Sequence, residues 1–308
     1  MDGRPASEPV LLLGSFGLGL DADFEDQLRL AVRHVSFRSI EDIAIQVITG
    51  SVRMTEIMEG RDLREFASVH MLSYPRGATN LLNSVADYLN SQGVRGVNVD
   101  MLDAPTKLYK YVRMANRDIP VPATTYLPHA RLRNAFPELA ESFDLPFVLK
   151  SVAGGAGRSR TVVGDASTFD EAVRRAAREQ VRLLAQELVP ADAHHRLVVF
   201  GGRVRAAQEL DEAEESDLLR RPRWEGAPSL PLDEVPESAA ELAVAAARAM
   251  KYDLAAVHLI RNWTTAQWQV VDISAGPLAG AGLYVEGVST AYARFLAETT
   301  RTDQPLLG

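Results

Sequence analysis

The sequence predicts an α/β protein that opens with a small parallel-sheet domain. Two observations carry this. Strand-like and helix-like stretches alternate along the first hundred residues, the pattern of a parallel sheet covered by helices. Farther along, the strands come as hairpins separated by helices, with glycine pairs or polar tips at the turns.

In order, VLLLGSF (10–16) reads as a buried strand running into the turn chemistry GSFGLG. Those glycines do not have G-x-G-x-x-G spacing and no acidic residue is clearly placed after them, so a dinucleotide site is not expected. FEDQLRLAVRHV (24–35) has helical spacing, and DIAIQVI (42–48) and SVHMLSY (68–74) are strand-like. TNLLNSVADYLNSQG (79–93) predicts an amphipathic helix capped by Thr79 or Asn80 and stopped at Gly93, followed by a short strand at 96–100. Residues 104–127 read as helix, proline-punctuated turn and strand. LPFVLKSV (145–152) is a strand carrying Lys150, AGGAGRSR (153–160) a glycine-rich loop, and TVV (161–163) a resumed strand. A helix over 168–180 has Thr168 and Glu171 at capping-box spacing. RLLAQELV (182–189) is a strand, 195–210 a hairpin about Gly201-Gly202, 237–250 a strong helix, 255–274 a second hairpin, and 288–299 a closing helix.

The bulk properties narrow the function classes. A chain of 308 residues, 46% apolar and 24% charged, has the composition of a soluble globular protein of one large domain or two to three small ones. No apolar run approaches the roughly 20 residues of a membrane span, and MDGRPASEPV lacks a secretory pattern, so the expectation is a cytoplasmic protein without a membrane partner. The absence of cysteine excludes disulfides, thiolate zinc sites and thiol catalysis. A net charge of −8 without a basic stripe argues against nucleic acid. The run ELDEAEESD (209–217) reads as a solvated loop or helix face.

Of 33 basic residues only four are lysine: Lys107, Lys110, Lys150 and Lys251. Lysine is a compact point charge on a flexible stem, a form arginine does not reproduce against a phosphate. Lys150 precedes a loop whose glycines let main-chain N–H groups approach phosphate oxygens; the alternative is a mere hairpin turn, for which two residues would suffice and GGAG is longer than needed. QELV (186–189) is a strand end with amides that suit an adenine edge, or an ordinary strand. In QVVDISAGP (269–277) an extended chain puts Val270 with Asp272 on one face and Val271 with Ile273 on the other. Asp272 and Ser274 then share a face, for metal binding, for a structural hydrogen bond, or by accident.

Taken in order over residues 104–280, four segments resemble the ATP-grasp superfamily, with spacing like that of its RimK-like branch of peptide-modifying glutamate ligases. They are TKLYKYVRMANRDIPVPATTY, LPFVLKSVAGGAGRSRTVV, LLAQELV with HHRLVVFGGRVRAA, and AVHLI with QVVDISAGP. The resemblance implies an N-terminal domain over 1–103, a small lobe with the glycine-rich loop over 104–186, and a C-terminal lobe over 187–308, with ATP clamped between two α+β lobes. Lys107 and Lys150 would meet the phosphates, and Gly154, Gly155 and Gly157 would close over them. Gln186, Glu187, Leu188 and Val189 would bracket the adenine, with the Glu187 and Val189 main chain reading its edge, and Asp192 would take the ribose. Arg196 matches a catalytic arginine. Arg205 is among those that can stand in for the arginine that steadies the reaction intermediate, since Glu209, Leu210 and Asp211 stand where the family has that residue.

The family reaction is attack of a carboxylate on the γ-phosphate to give an acylphosphate, captured by an amine or thiol. The implied partners are a small molecule or peptide bearing carboxylate and amine groups. Mg²⁺ or Mn²⁺ would accompany ATP, because both reacting groups are anionic. The family's metal ligands, an Asp and then Glu and Asn at i, i+2, are here His258, Asp272 and Ser274. Imidazole is a poor Mg²⁺ ligand and Asp is shorter than Glu. An alternative is therefore a catalytically degenerate relative that binds nucleotide as a regulatory or partner subunit. His258 also reads as a core histidine bonded to backbone. The closing helix suits packing in cis or, in a homodimer, in trans.

Overall fold

The structure, a computed structural model, describes residues 9–14, 22–32, 34–72, 79–99, 106–153, 160–210, 227–276 and 287–299. Three four-stranded sheets and one hairpin organise them.

The first sheet is built from β1 (Val10–Leu13), β2 (Val35–Arg38), β5 (Ser68–Met71) and β6 (Arg95–Val97), with α1 (Ala22–Ala31) and α2 (Thr79–Gln92) between them. Its order is β2-β1-β5-β6 and every pairing is parallel. Both faces of such a sheet are covered, which is why VLLL is apolar at consecutive positions. Leu11 and Leu13 pack with Leu82, Val85 and Leu89 of α2. Val10 and Leu12 pack with Phe24 and Leu28 of α1 and with the closing helix. The predicted strand over 42–48 is present as β3 (Ile43–Ile48). It does not join the parallel sheet but forms an antiparallel hairpin with β4 (Ser51–Glu56), turning at Gly50 with φ 80°.

The middle region starts with α3 (Lys107–Ala115), whose N-cap Thr106 accepts a hydrogen bond from the Tyr109 amide. Then come β7 (Thr124–Thr125), α4 (His129–Leu132), α5 (Phe136–Phe143), β8 (Phe147–Ser151), β9 (Arg160–Val163), α6 (Ala166–Arg178) and β10 (Leu183–Glu187). The sheet is antiparallel in the order β7-β10-β8-β9. Phe147, Leu149 and Val163 bury one face against Phe169 and Val173 of α6 and Leu139 of α5. The cap of α6 is Asp165, whose carboxylate accepts from the Thr168 amide at 2.7 Å, and not Thr168 as the sequence spacing suggests. The helix begins one residue after Asp165, so Thr168 lies inside the first turn.

The third sheet comprises β11 (Ala191–Phe200), β12 (Arg203–Leu210), β13 (Leu254–Asn262) and β14 (Trp268–Ser274), in the antiparallel order β12-β11-β13-β14. Helix α7 (Glu237–Met250) lies on one face, where Ala239, Ala243, Ala246 and Ala247 approach Leu197, Val199, Val257, Leu259, Val270 and Ile273. Small alanines let the helix sit close to the sheet. The closing helix α8 (Val288–Thr299) packs in cis on the other face. Its Tyr292 and Phe295 fill the space between Val198 and Phe200 of this sheet and Val10 and Leu12 of the first. Tyr292 Oη meets Nδ1 of the buried His70 at 2.9 Å, fixing the helix to β5. No helix among the described residues is long and apolar enough to cross a membrane.

Candidate functional site

The second and third sheets turn polar residues toward α3. On the second sheet Lys150 stands directly opposite Arg160 and beside the β10 strand. Alternation along β8 buries Phe147 and Leu149 under α6 and leaves Lys150 on the other face. Its ammonium donates to Gln186 Oε1, and the Gln186 amide in turn donates to Thr124 Oγ1 at 2.8 Å. Gln186 is 1% exposed, so this chain of bonds satisfies a buried amide and holds Lys150 in place. Burial, with added repulsion from Arg160 and Lys107, pushes the Lys150 ammonium down to about 7.

On the third sheet one cross-strand row runs Gln208, Arg196, His258, Asp272, from β12 to β14. This row faces away from α7. Arg196, 6% exposed, donates to Gln208 Oε1 at 3.4 Å, while its buried Nε has no hydrogen-bond partner. Burial lowers the Arg196 guanidinium to about 10 and the His258 imidazolium to about 3, so His258 is neutral.

The expected sharing of one face by Val270 and Asp272 is overturned. A bulge skips Val271: Leu259 pairs with Val270, whereas His258 pairs with Asp272. Val270 and Ile273 therefore both bury into the core under α7, while Asp272 turns to the site. The displaced Val271 carbonyl accepts from Tyr111 Oη at 2.7 Å. Asp272 and Ser274 do lie on the same side of the later part of the strand, with Ser274 exposed and opposite Ala256.

Helix α3 brings its own cations to this row. Lys107 Nζ donates to Asp272 Oδ2 at 2.9 Å, and Lys110 Nζ donates to Oδ1 at 3.2 Å and to the Ile273 carbonyl. Burial alone would raise the Asp272 carboxyl, but the ammonium groups of Lys110 and Lys107 outweigh it and hold it far below the ordinary carboxylate range. Asp272 is thus a carboxylate already surrounded by cations. Lys110 and Arg160 were not among the predicted site residues. The signal for Lys110 was present, since residues at i and i+3 share a helix face and lysine is rare in this chain. Arg160 had no such signal in a chain rich in arginine.

The remaining predicted positions fall as follows. Gly154, Gly155 and Gly157 lie outside the described residues. Glu187 ends β10. Its amide already donates to the Ala123 carbonyl at 3.0 Å and its carboxylate accepts from the Ala123 amide at 2.9 Å, so the Glu187 N–H is not available to a base edge. Leu188 and Val189 follow beyond the paired strand and are half-buried. Asp192 forms a two-point ion pair with Arg261 at 2.8 and 2.9 Å. Arg205 lies in a β12 bulge, paired with Glu298 of α8 and so tied to the closing helix. His194 and His195 lie within β11, where the His195 ring packs on Trp268 with ring centroids 4.7 Å apart.

His258, Asp272 and Ser274 do not fit a Mg²⁺ centre as they are arranged. Mg²⁺ takes hard oxygens in near-octahedral geometry. Here one carboxylate has both oxygens engaged by lysines, the imidazole offers nitrogen, and among the described residues no group of three His, Cys, Asp or Glu is poised to hold a metal. Lys107 and Lys110 bond Asp272, Lys150 lies near Lys107 and Arg160, and Arg196 stands in the same cross-strand row as Asp272, so cations outnumber the one carboxylate, an arrangement that suits a polyanion.

No protein-family model and no curated protein matches the chain. Solved structures do. The ATP-grasp ligase PsnB, complexed with minimal precursor, Mg and ADP, superimposes with a TM-score of 0.68 at 14% identity, over 96% of this chain and 99% of that one. A RimK domain protein ATP-grasp from Sphaerobacter thermophilus DSM 20745 gives 0.59 at 20% identity, over 93% and 98%. The macrocyclase MdnC bound with precursor peptide MdnA, from Microcystis aeruginosa MRC, gives 0.64 at 14% identity, over 94% and 99%. These likenesses establish the fold.

Proposed function

We propose that this chain, an ATP-grasp fold, is an ATP-dependent ligase that joins a carboxylate to an amine or thiol through an acylphosphate. The observation that carries the reading is the cationic cluster of Lys107, Lys110, Lys150, Arg160 and Arg196, in which Lys107 and Lys110 hold Asp272. A triphosphate is a ligand with enough negative charge to match it. Lys150 stands at the start of the glycine-rich segment and Lys107 at the start of α3, so the phosphates would lie between the second and third sheets. The base would lie along Gln186–Val189, read by the main chain of Leu188 and Val189 beyond the last paired residue. Arg196 would meet the carboxylate or the acylphosphate with its unsatisfied Nε. PsnB and MdnC are each described with a precursor peptide. We extend that to a peptide or amino-acid substrate here.

A divalent cation arriving on ATP would supply charge neutralisation, but no step is assigned to one at His258, Asp272 and Ser274. The engaged state of Asp272 favours a second reading, a nucleotide-binding relative without turnover. Incubation with ATP, Mg²⁺ or Mn²⁺ and candidate peptides or amino acids separates the two. ADP with a ligated product of matching mass supports the ligase. Tight ATP binding without ADP supports the second reading, and absence of both removes both.

A further inference from the structure

We infer that Lys107 and Lys110 supply at Asp272 the positive charge that a divalent cation would otherwise bring, so that this chain binds nucleoside triphosphate without requiring a divalent cation. The inference rests on the proposed triphosphate site and goes beyond it by assigning the counter-charge to the protein itself.

The geometry is specific. Asp272 Oδ2 accepts from Lys107, and Oδ1 accepts from Lys110 and from the Ile273 amide at 2.9 Å. Lys110 is held a second time by the Ile273 carbonyl. Both lysines come from the first turn of a helix whose start is fixed by Thr106, so their stems leave from set positions one turn apart. Two ammonium groups on one carboxylate leave a net positive charge at the end of β14. A doubly charged ion coordinated by Asp272 would have to displace both ammonium groups or lie against them. Neighbouring groups do not relieve that conflict. His258, across the strand pair, is kept neutral by burial, and Ser274 is an uncharged hydroxyl facing solvent. Lysine at both places, in a chain with only four lysines among its 33 basic residues, matches the need for compact charge close to phosphate oxygens.

The test is calorimetric titration of the full chain with ATP in EDTA and again in Mg²⁺, neither arm depending on turnover. Affinities that differ by less than about tenfold between the two media support the inference. Mg²⁺ tightening binding by about tenfold or more overturns it. No binding in either medium removes the triphosphate site itself, a result distinct from Mg²⁺-dependent binding. In EDTA, Lys110→Met is expected to weaken ATP by about tenfold, the effect of one charge-assisted hydrogen bond, with Lys110→Arg losing less. A folded Lys110→Met protein that binds ATP in EDTA as the unmodified chain does also overturns it.

Discussion

Lys107 and Asp272 are 165 residues apart in the chain, and their side chains meet at 2.9 Å. This ion pair, doubled by Lys110, clips the start of the middle region to the last strand of the third sheet. Asp272→Asn should therefore free two ammonium groups and leave ATP affinity in EDTA unchanged or higher. The stability loss should be about 1–2 kcal/mol, below that of a fully buried pair because the side chains keep 24% and 34% of their exposure. Titration and chemical denaturation measure both. A large fall in ATP affinity in EDTA would show that Asp272 itself, and not the lysines, holds the ligand.

Lys150 should make nucleotide binding pH-dependent. Its folded value is lowered to about 7, so it is charged below that pH and largely neutral above it. ATP affinity should fall between pH 6 and pH 8, with proton uptake on binding at the upper end. Lys150→Arg stays charged throughout and should flatten the difference. Comparing the two proteins in the same buffers cancels titration of the phosphate.

The same burial sets a stability trade-off. Lowering a lysine below its unfolded value imposes a cost that is full below about pH 7 and shrinks as pH rises toward the ordinary lysine value. Lys150→Met should raise the melting temperature at pH 7 by a few degrees, about 1 kcal/mol, while weakening ATP binding. A melting temperature lowered by several degrees would mean that the bond to Gln186 outweighs desolvation.

Asn98 joins the first sheet to the third. It is fully buried with φ 59°, accepts from the Leu254 amide at 2.9 Å, and donates to the Ala275 carbonyl at 2.9 Å and more weakly to Met71 and Leu254. Asn98→Ala loses these bonds and places a less suitable residue in a left-handed conformation. A loss of about 3 kcal/mol or more in urea unfolding is expected. Since Ala275 follows the Asp272 strand, ATP affinity should weaken too.

Gly201 turns the β11–β12 hairpin with φ 55°, and an added Cβ would lie 2.8 Å from the Phe295 ring of α8. Gly201→Ala should destabilise by about 2 kcal/mol through strain and displacement of that ring. Thermal melting checks this, with nucleotide affinity at low temperature little changed.

Much of the architecture was legible in local pattern. The helices at 237–250 and 288–299 and the Gly201-Gly202 turn stand where periodicity and turn chemistry put them. The β4 strand was missed because SVRMTE, largely polar and exposed, carries little strand pattern. The bulge at Val271 was invisible, since an extra residue in one strand is defined only against its partner. The strand carrying Lys150 was readable because scarce lysine beside a glycine run is a local signal. The lysine pairs on Asp272 were not, because they depend on how α3 docks against a strand far along the chain. The pairings of Asp192 with Arg261 and Arg205 with Glu298 were hidden for the same reason.

The cationic cluster between the second and third sheets is, on this proposal, a triphosphate site. Calorimetric titration of the unmodified chain and of Lys150→Met with a non-hydrolysable ATP analogue tests it most directly. The expected result is one site per chain, about micromolar or tighter, and about a hundredfold weaker in the variant while its far-UV spectrum is unchanged. Equal affinity in the two proteins, or no heat from either, would contradict it.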